Sequence, residues 1–261
     1  MARVAMDTNS VVGNSVVYEI DNLDLQAFTA LAARFGERRY GYVVTPNVDH
    51  LIRYHESSEF RRYYASASYV LMDSRFVARI VYLMKGVRLP VCTGSDLTAE
   101  LFAKVIREDD RIVLIGGTAQ QIDQLSSRFG LKNARHHAPP MGFIRDPEAV
   151  EECLQFIERA SPFRFCFLAV GSPQQETLAH AVQLRGRALG LALCVGASLD
   201  FLTGAQKRAP RWVQHLALEW LYRLLGDPGR LASRYLIRGP RIFGYLRRAR
   251  VVLREARLAA D

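Results

Sequence analysis

The chain has 261 residues, 49% of them hydrophobic, and its 35 Lys and Arg against 26 Asp and Glu give a formal charge of +9. That is enough apolar chain for a full buried core, but no stretch reaches the roughly 18 apolar residues of a bilayer-spanning helix, and the longest contender, residues 190–202, contains Asp200. Residues 1–7 lack the apolar core of an export signal, and Cys92, Cys153, Cys166 and Cys194 form no CxxC pair, so a cytoplasmic protein with buried free thiols is expected rather than a disulfide or zinc protein.

Strand-length apolar runs alternate with helix-period segments along the chain. Strands are expected at 15–20, 41–45, 69–72, 112–115, 165–170 and 191–195, and helices at 25–35, 76–84, 96–106, 119–129, 147–159 and 173–189. Several strands are apolar throughout, as strands covered on both faces are. The pattern predicts an α/β fold with a doubly wound, mostly parallel, Rossmann-like sheet. The simplest division is a catalytic domain over 1–209 and a basic helical appendage over 210–261.

The charge is concentrated in that appendage. Residues 207–261 hold 13 bases against four acids, a net +9 equal to that of the whole chain, so the body is neutral. From 241 to 258 a helical period puts Ile242, Tyr245, Leu246, Ala249, Val252, Leu253 and Ala256 on one stripe flanked by arginines. A basic amphipathic helix of this kind fits an anionic membrane surface and would be separable from the body.

In a parallel sheet, ligands meet the turns that follow the strands. Gly116 and Gly117 end one strand and open a helix, which suits close approach of a phosphate. Gly171-Ser172-Pro173-Gln174-Gln175-Glu176 combines a helix start with amides beyond the needs of capping. Gly196 and Asp200, then Lys207 and Arg208, form another glycine-containing turn with basic residues. Thr45 and Asn47 follow an earlier strand, and Thr93-Gly94-Ser95-Asp96 reads as a helix cap. Asp73 directly follows four apolar residues, where a carboxylate acts as a base or caps the next helix.

Taken in order, these segments resemble the WecG/TagA/CpsF family of bacterial glycosyltransferases over about residues 45–235. The most specific stretches are Gly171 to Glu176, Val195 to Phe201 with Gly204, Lys207 to Pro210, and Glu219-Trp220-Leu221-Tyr222-Arg223 with Asp227, Pro228 and Arg230. The resemblance implies inverting transfer from a UDP-sugar (N-acetylmannosamine, its uronic acid or glucose) to a sugar on a polyprenyl diphosphate, at a membrane. It implies Asp73 as base, Asn47 at the sugar, and Gln175 with some of Arg223, Arg230 and Arg234 at the diphosphate. Two departures fall near the sugar: Met72-Asp73-Ser74-Arg75 replaces the family's Pro-Asp-Gly, and Val91-Cys92 replaces an Arg before Thr-Gly, leaving Arg75 or Arg88 to supply that charge.

The sequence has no Asp-x-Asp, and its six histidines have no metal-ligand spacing, so no metal or other cofactor is expected. The partners expected are the two sugar substrates and an anionic membrane, with self-association left open. A nucleic-acid-binding protein using the basic tail and a nicotinamide-dependent oxidoreductase are the rivals. The first lacks a recognition motif and the second lacks the glycine fingerprint with its downstream acid.

Overall fold

The computed structural model describes residues 11–12 and 15–255. A short antiparallel pair, β1 (Val11–Val12) and β2 (Ser15–Asp21), precedes α1 (Leu25–Arg34). Then come β3 (Tyr40–Val44), α2 (Val48–Glu56), α3 (Ser58–Ala65), β4 (Tyr69–Val70), α4 (Arg75–Lys85) and α5 (Gly94–Lys104). The alternation continues through β5 (Arg111–Ile115), α6 (Ala119–Phe129), β6 (Asn133–His137), α7 (Pro147–Arg159), β7 (Phe165–Leu168), α8 (Gln174–Arg185), β8 (Gly190–Cys194) and α9 (Ser198–Thr203).

Six of these strands form one sheet in the order β4-β3-β8-β7-β5-β6, every neighbouring pair parallel. The doubly wound α/β architecture expected from the sequence is therefore the one observed. Side chains alternate across the sheet, which explains the uniformly apolar strands. Tyr42 and Val44, Cys166 and Leu168, Ala192 and Cys194 pack with α2, α3, α4, α7 and α8. Val43, Phe165, Phe167, Leu191 and Leu193 pack with α1, α5 and α6 on the other face. Both faces are dry, so every position of these strands must be apolar. Because all strands run the same way, their following turns share one edge. The chain leaves β5 for β6 in one direction and β7 for β8 in the other, opening a crevice at that switch.

Beyond Pro210 the chain forms α10 (Arg211–His215), α11 (Glu219–Gly226), α12 (Pro228–Ala232), a π-helical turn (Ser233–Arg238) and α13 (Arg241–Arg248). A last strand, β9 (Arg250–Arg254), pairs in parallel with β2.

The expected single helix over 241–258 is corrected here. The helix stops at Arg248, Ala249 turns extended, and residues 250–254 become strand; residues 256–258 lie outside those described. The cause is the β-branched pair Val251-Val252, which loses side-chain freedom in a helix but has strand partners available on β2. Val251 and Leu253 then face the core while Val252 points outward, a period of two that places Val251 inside. The helical stripe also faces inward: Ile242, Leu246 and Ala249 are buried, and α13 packs on α2 and α4. It serves the protein core, not an external surface.

Candidate active site

A cavity of about 450 Å³ opens between the ends of β3 and β4 on the body and the α10–α13 segment. Its body wall includes Asn47, Asp49, Asp73, Arg75 and Thr93; its outer wall includes Glu219, Trp220, Arg223, Arg234, Tyr235 and Phe243.

Asp73 reaches this cavity because the β4 segment continues extended past Val70: Leu71 N–H donates to the Val44 carbonyl at 3.0 Å and Asp73 N–H to Pro46 at 2.9 Å. It does not cap α4. Ser74 does, accepting the Val77 N–H at 3.2 Å, so the Asp73 carboxylate is left for other work. Its Oδ1 accepts the Gly94 N–H at 2.7 Å. Burial pushes the carboxyl up to about 7, opposed by the Gly94 N–H and the Arg223 charge, reinforced by Glu219, and opposed again by the Asn47 side chain. A carboxyl poised near neutrality in a cavity is what general-base chemistry needs.

The neighbouring residues hold this geometry. Asn47 caps α2 through its carbonyl oxygen, which accepts from Asp49 and His50 N–H. Thr45 is buried and donates to the Cys194 carbonyl at 3.0 Å, tying β3 to β8 below the cavity. Thr93 caps α5 and donates to Asp96 at 2.8 Å. Asp96 also takes Arg208 at 2.5 Å and Arg75 at 3.2 Å. Burial raises the Asp96 carboxyl, but bonds from Arg208 and Thr93 and the charges of Arg208 and Arg75 outweigh it, holding it at about 2. Gly94 is closely packed: a Cβ would come within 3.3 Å of Ser198 Oγ, which would have to give by a few tenths of an ångström.

A second group lies along the edge at β5, β7 and β8, outside the cavity wall. Gly116 has φ +91, and a Cβ there would meet the Ala169 carbonyl at 2.9 Å, so the turns after β5 and β7 are pressed together. Gly117 and Gly171 also have positive φ. Gln174 is half-buried, its side-chain amide turned back on the Gly171 and Ser172 carbonyls. Gln175 is buried: its carbonyl accepts the Gly196 N–H at 2.8 Å and its amide donates to Glu176 at 2.9 Å. It thus ties two turns together from inside. Asp200 accepts from Gln121 at 2.8 Å. Lys207 is exposed and does not line the cavity.

Of the appendage arginines, Arg223 pairs with Glu219 at 2.8 Å and lies over the Phe201 ring, and Arg234 stands 3.9 Å from Asp49. The backbone of Arg230 belongs to α12; its side chain is outside what is described. Arg75, not Arg88, brings a guanidinium to the Thr93–Asp96 turn, since Arg88 lies over Tyr82.

Sequence reasoning overlooked Arg53, which donates to Ser172 at 2.9 Å and pairs with Asp49, joining α2 to the turn after β7. It also overlooked the buried set beneath: His50 bonded to Tyr64 at 3.1 Å and 4.0 Å from Glu176. Burial lowers the His50 imidazole and raises the Glu176 carboxyl, so both favour their neutral forms. The helix 48–56 that carries Arg53 and His50 has charged residues interleaved with its apolar ones, which hid it among loop-like sequence. Among the described residues no three His, Cys, Asp or Glu side chains converge as a metal-ligand group.

A doubly wound sheet with a near-neutral carboxylate and several arginines around one cavity defines an α/β group-transfer enzyme. The model of the glycosyl transferase WecG/TagA/CpsF family matches residues 14–256, and the chain belongs to that family. It is therefore a glycosyltransferase of cell-surface polysaccharide synthesis.

Proposed function

We propose that this enzyme carries out inverting, metal-independent transfer from a UDP-sugar to a sugar on a polyprenyl diphosphate, on the inner face of the plasma membrane. The observation that carries the reading is Asp73, held near neutrality in a cavity whose outer wall bears Arg223 and Arg234. Asp73 takes the proton of the acceptor hydroxyl, and the freed oxygen attacks the anomeric carbon. The bond from that carbon to the β-phosphate oxygen breaks, and UDP leaves with an added negative charge. Arginines at fixed positions stabilise that charge in the role a metal fills elsewhere. The crevice between β5 and β7, with Gly116, Gly117 and Gly171, suits the nucleotide.

No helix among the described residues is long and apolar enough to cross a membrane. The appendage instead exposes Trp212, Leu216, Leu225, Leu236, Ile237 and Phe243. Arg211, Arg247, Arg248 and Arg250 are exposed, with no ion-pair partner among the described residues. Apolar side chains with free cations favour an anionic bilayer, which would bring the lipid-linked acceptor to the cavity that the same segment walls.

Thermal unfolding with added nucleotide tests the reading. UDP at about 100 times its Kd is expected to stabilise the fold by about 2.7 kcal/mol, while NAD and DNA leave the melting point unchanged. Turnover is expected to survive saturating EDTA. A melting point indifferent to UDP, or a strict divalent-cation requirement, counts against this mechanism.

A further inference from the structure

Arg75 is the first residue of α4, two positions after Asp73, and both line the cavity. One arm of its guanidinium is occupied, Nη2 pairing with Asp96 Oδ2 at 3.2 Å. The other, Nη1, is buried and has no partner among the described residues. Asp96 does not bond Nη1: its Oδ1 accepts from Arg208 and its Oδ2 from Thr93 and from Nη2 of Arg75. The Nε of Arg208 is likewise buried without a partner. Two guanidinium groups thus share the Asp96 carboxylate at the cavity wall beside Asp73, with Glu219 and Asp73 the other acids acting on Arg208.

A buried, unpaired N–H of a cation is costly, and proteins keep such groups where something else completes them. An arginine fixed at one arm is also pre-oriented at the other, so little freedom is lost when an anion binds. The group it fits is one with paired oxygens and negative charge. Arg223 and Arg234 come from the appendage across the cavity, whereas Arg75 sits on the body wall next to the proposed base. Whatever Arg75 binds therefore shares the cavity with the proposed base.

Building on the nucleotide-sugar reading above, we infer that Arg75, braced by Asp96 and Arg208, is a specificity-determining residue that binds an anionic oxygen pair of the substrate beside Asp73. A carboxylate on the transferred sugar and the β-phosphate of the donor share this chemistry.

Calorimetric titration separates the two sources without needing activity. The full chain, Arg75→Ala and Arg75→Lys are titrated with UDP, UDP-glucose and UDP-glucuronate, the last two differing only at the sugar's carboxylate. Arg75→Lys keeps a cation for Asp96 but has no second arm, so it carries the test if the alanine variant folds poorly. A loss of about tenfold or more in affinity is expected in a folded variant. Loss confined to UDP-glucuronate assigns the sugar carboxylate; equal loss for all three assigns the β-phosphate. Folded variants that bind all three within about twofold of the wild type overturn the Arg75 assignment alone. A wild type that binds none of them removes the nucleotide-sugar reading and this subsite with it.

Discussion

At the residue scale, the distinction that matters is between carboxylates held ionised and carboxylates held neutral. Asp96 is pinned by two arginines, whereas Asp73 sits in the cavity with burial working against its charge. If Asp73 is the base, the rate rises with pH through about 7 as it loses its proton. Asp73→Asn is expected to keep the fold and UDP affinity but lose about 10²-fold or more in turnover. A folded variant with near-normal turnover would remove Asp73 from the chemistry. The His50–Glu176 pair gives a second pH signature, in stability. Glu176 is raised on folding, so its contribution is present at low pH and is lost as pH rises. His50 is lowered, so its contribution is present at high pH and is lost as pH falls. Between the ordinary Glu and His values, about 4.3 and 6.5, the two slopes oppose. Replacing Glu176 with Gln leaves the His50 slope alone, and stability should climb with pH across that window. Urea unfolding at several pH values checks this, and parallel wild-type and variant profiles would contradict it. Asp73 could be found in the sequence because it ends an apolar run. The buried pair could not, because a histidine and a glutamate 126 residues apart in sequence give no local signal.

At the scale of elements, sequence and structure agree where one face-independent rule applies and part where two periods compete. Residues 112–115, 165–168 and 191–194 are apolar at every position because both faces of the sheet are covered, so they were legible at once. β6 was missed because Asn133-Ala134-Arg135-His136-His137 is a polar edge strand, exposed on much of its surface. β9 was read as helix because Ala249, Val252 and Leu253 continue a helical stripe by coincidence, and only the position of Val251 argued otherwise. Its strand pairing has an energetic consequence. Asp21 is buried and accepts the Val70 N–H along with Arg254 Nε at 3.2 Å and Nη2 at 3.0 Å. Arg254→Ala strands that carboxylate and is expected to cost about 3 kcal/mol in urea unfolding. Arg248→Ala, on an exposed side chain, is expected to cost under about 0.5 kcal/mol. Similar losses for both variants would mean that the β2–β9 junction contributes little. A deletion from residue 240 onward would remove Ile242, Leu246 and Arg254 together, so the body is not expected to survive it intact.

At the scale of the whole molecule, the neutral body and basic tail are legible in the sequence, but the way they join is not. The tail does not trail from the body; it walls the cavity and returns to the N-terminal strand. On the reading proposed above, membrane attachment would fall to the exposed side chains of the 212–243 segment and to the arginines without ion-pair partners, not to the buried stripe of α13. Replacing Trp212, Leu225 and Ile237 together with Ser is expected to reduce sedimentation with anionic vesicles about tenfold or more while UDP affinity stays unchanged. Binding by the wild type should weaken with salt, since each arginine near the leaflet contributes about 1 kcal/mol that ions screen. Undiminished vesicle binding by the folded triple variant would place the contact elsewhere on the surface.

The pairing of β2 with β9 also fixes an order in time. Asp21 and Arg254 are 233 residues apart in sequence, so at about 5–20 residues per second the ribosome delivers the second roughly 10–50 s after the first. During that interval β2 lacks its parallel neighbour, Asp21 lacks its cation, and the cavity has no outer wall. A nascent chain can fold its six-stranded sheet early, yet the cavity keeps an open side until translation has passed Phe243, and β2 waits for its neighbour until Arg254. The site thus closes only after the whole sheet that carries Asp73 has been made.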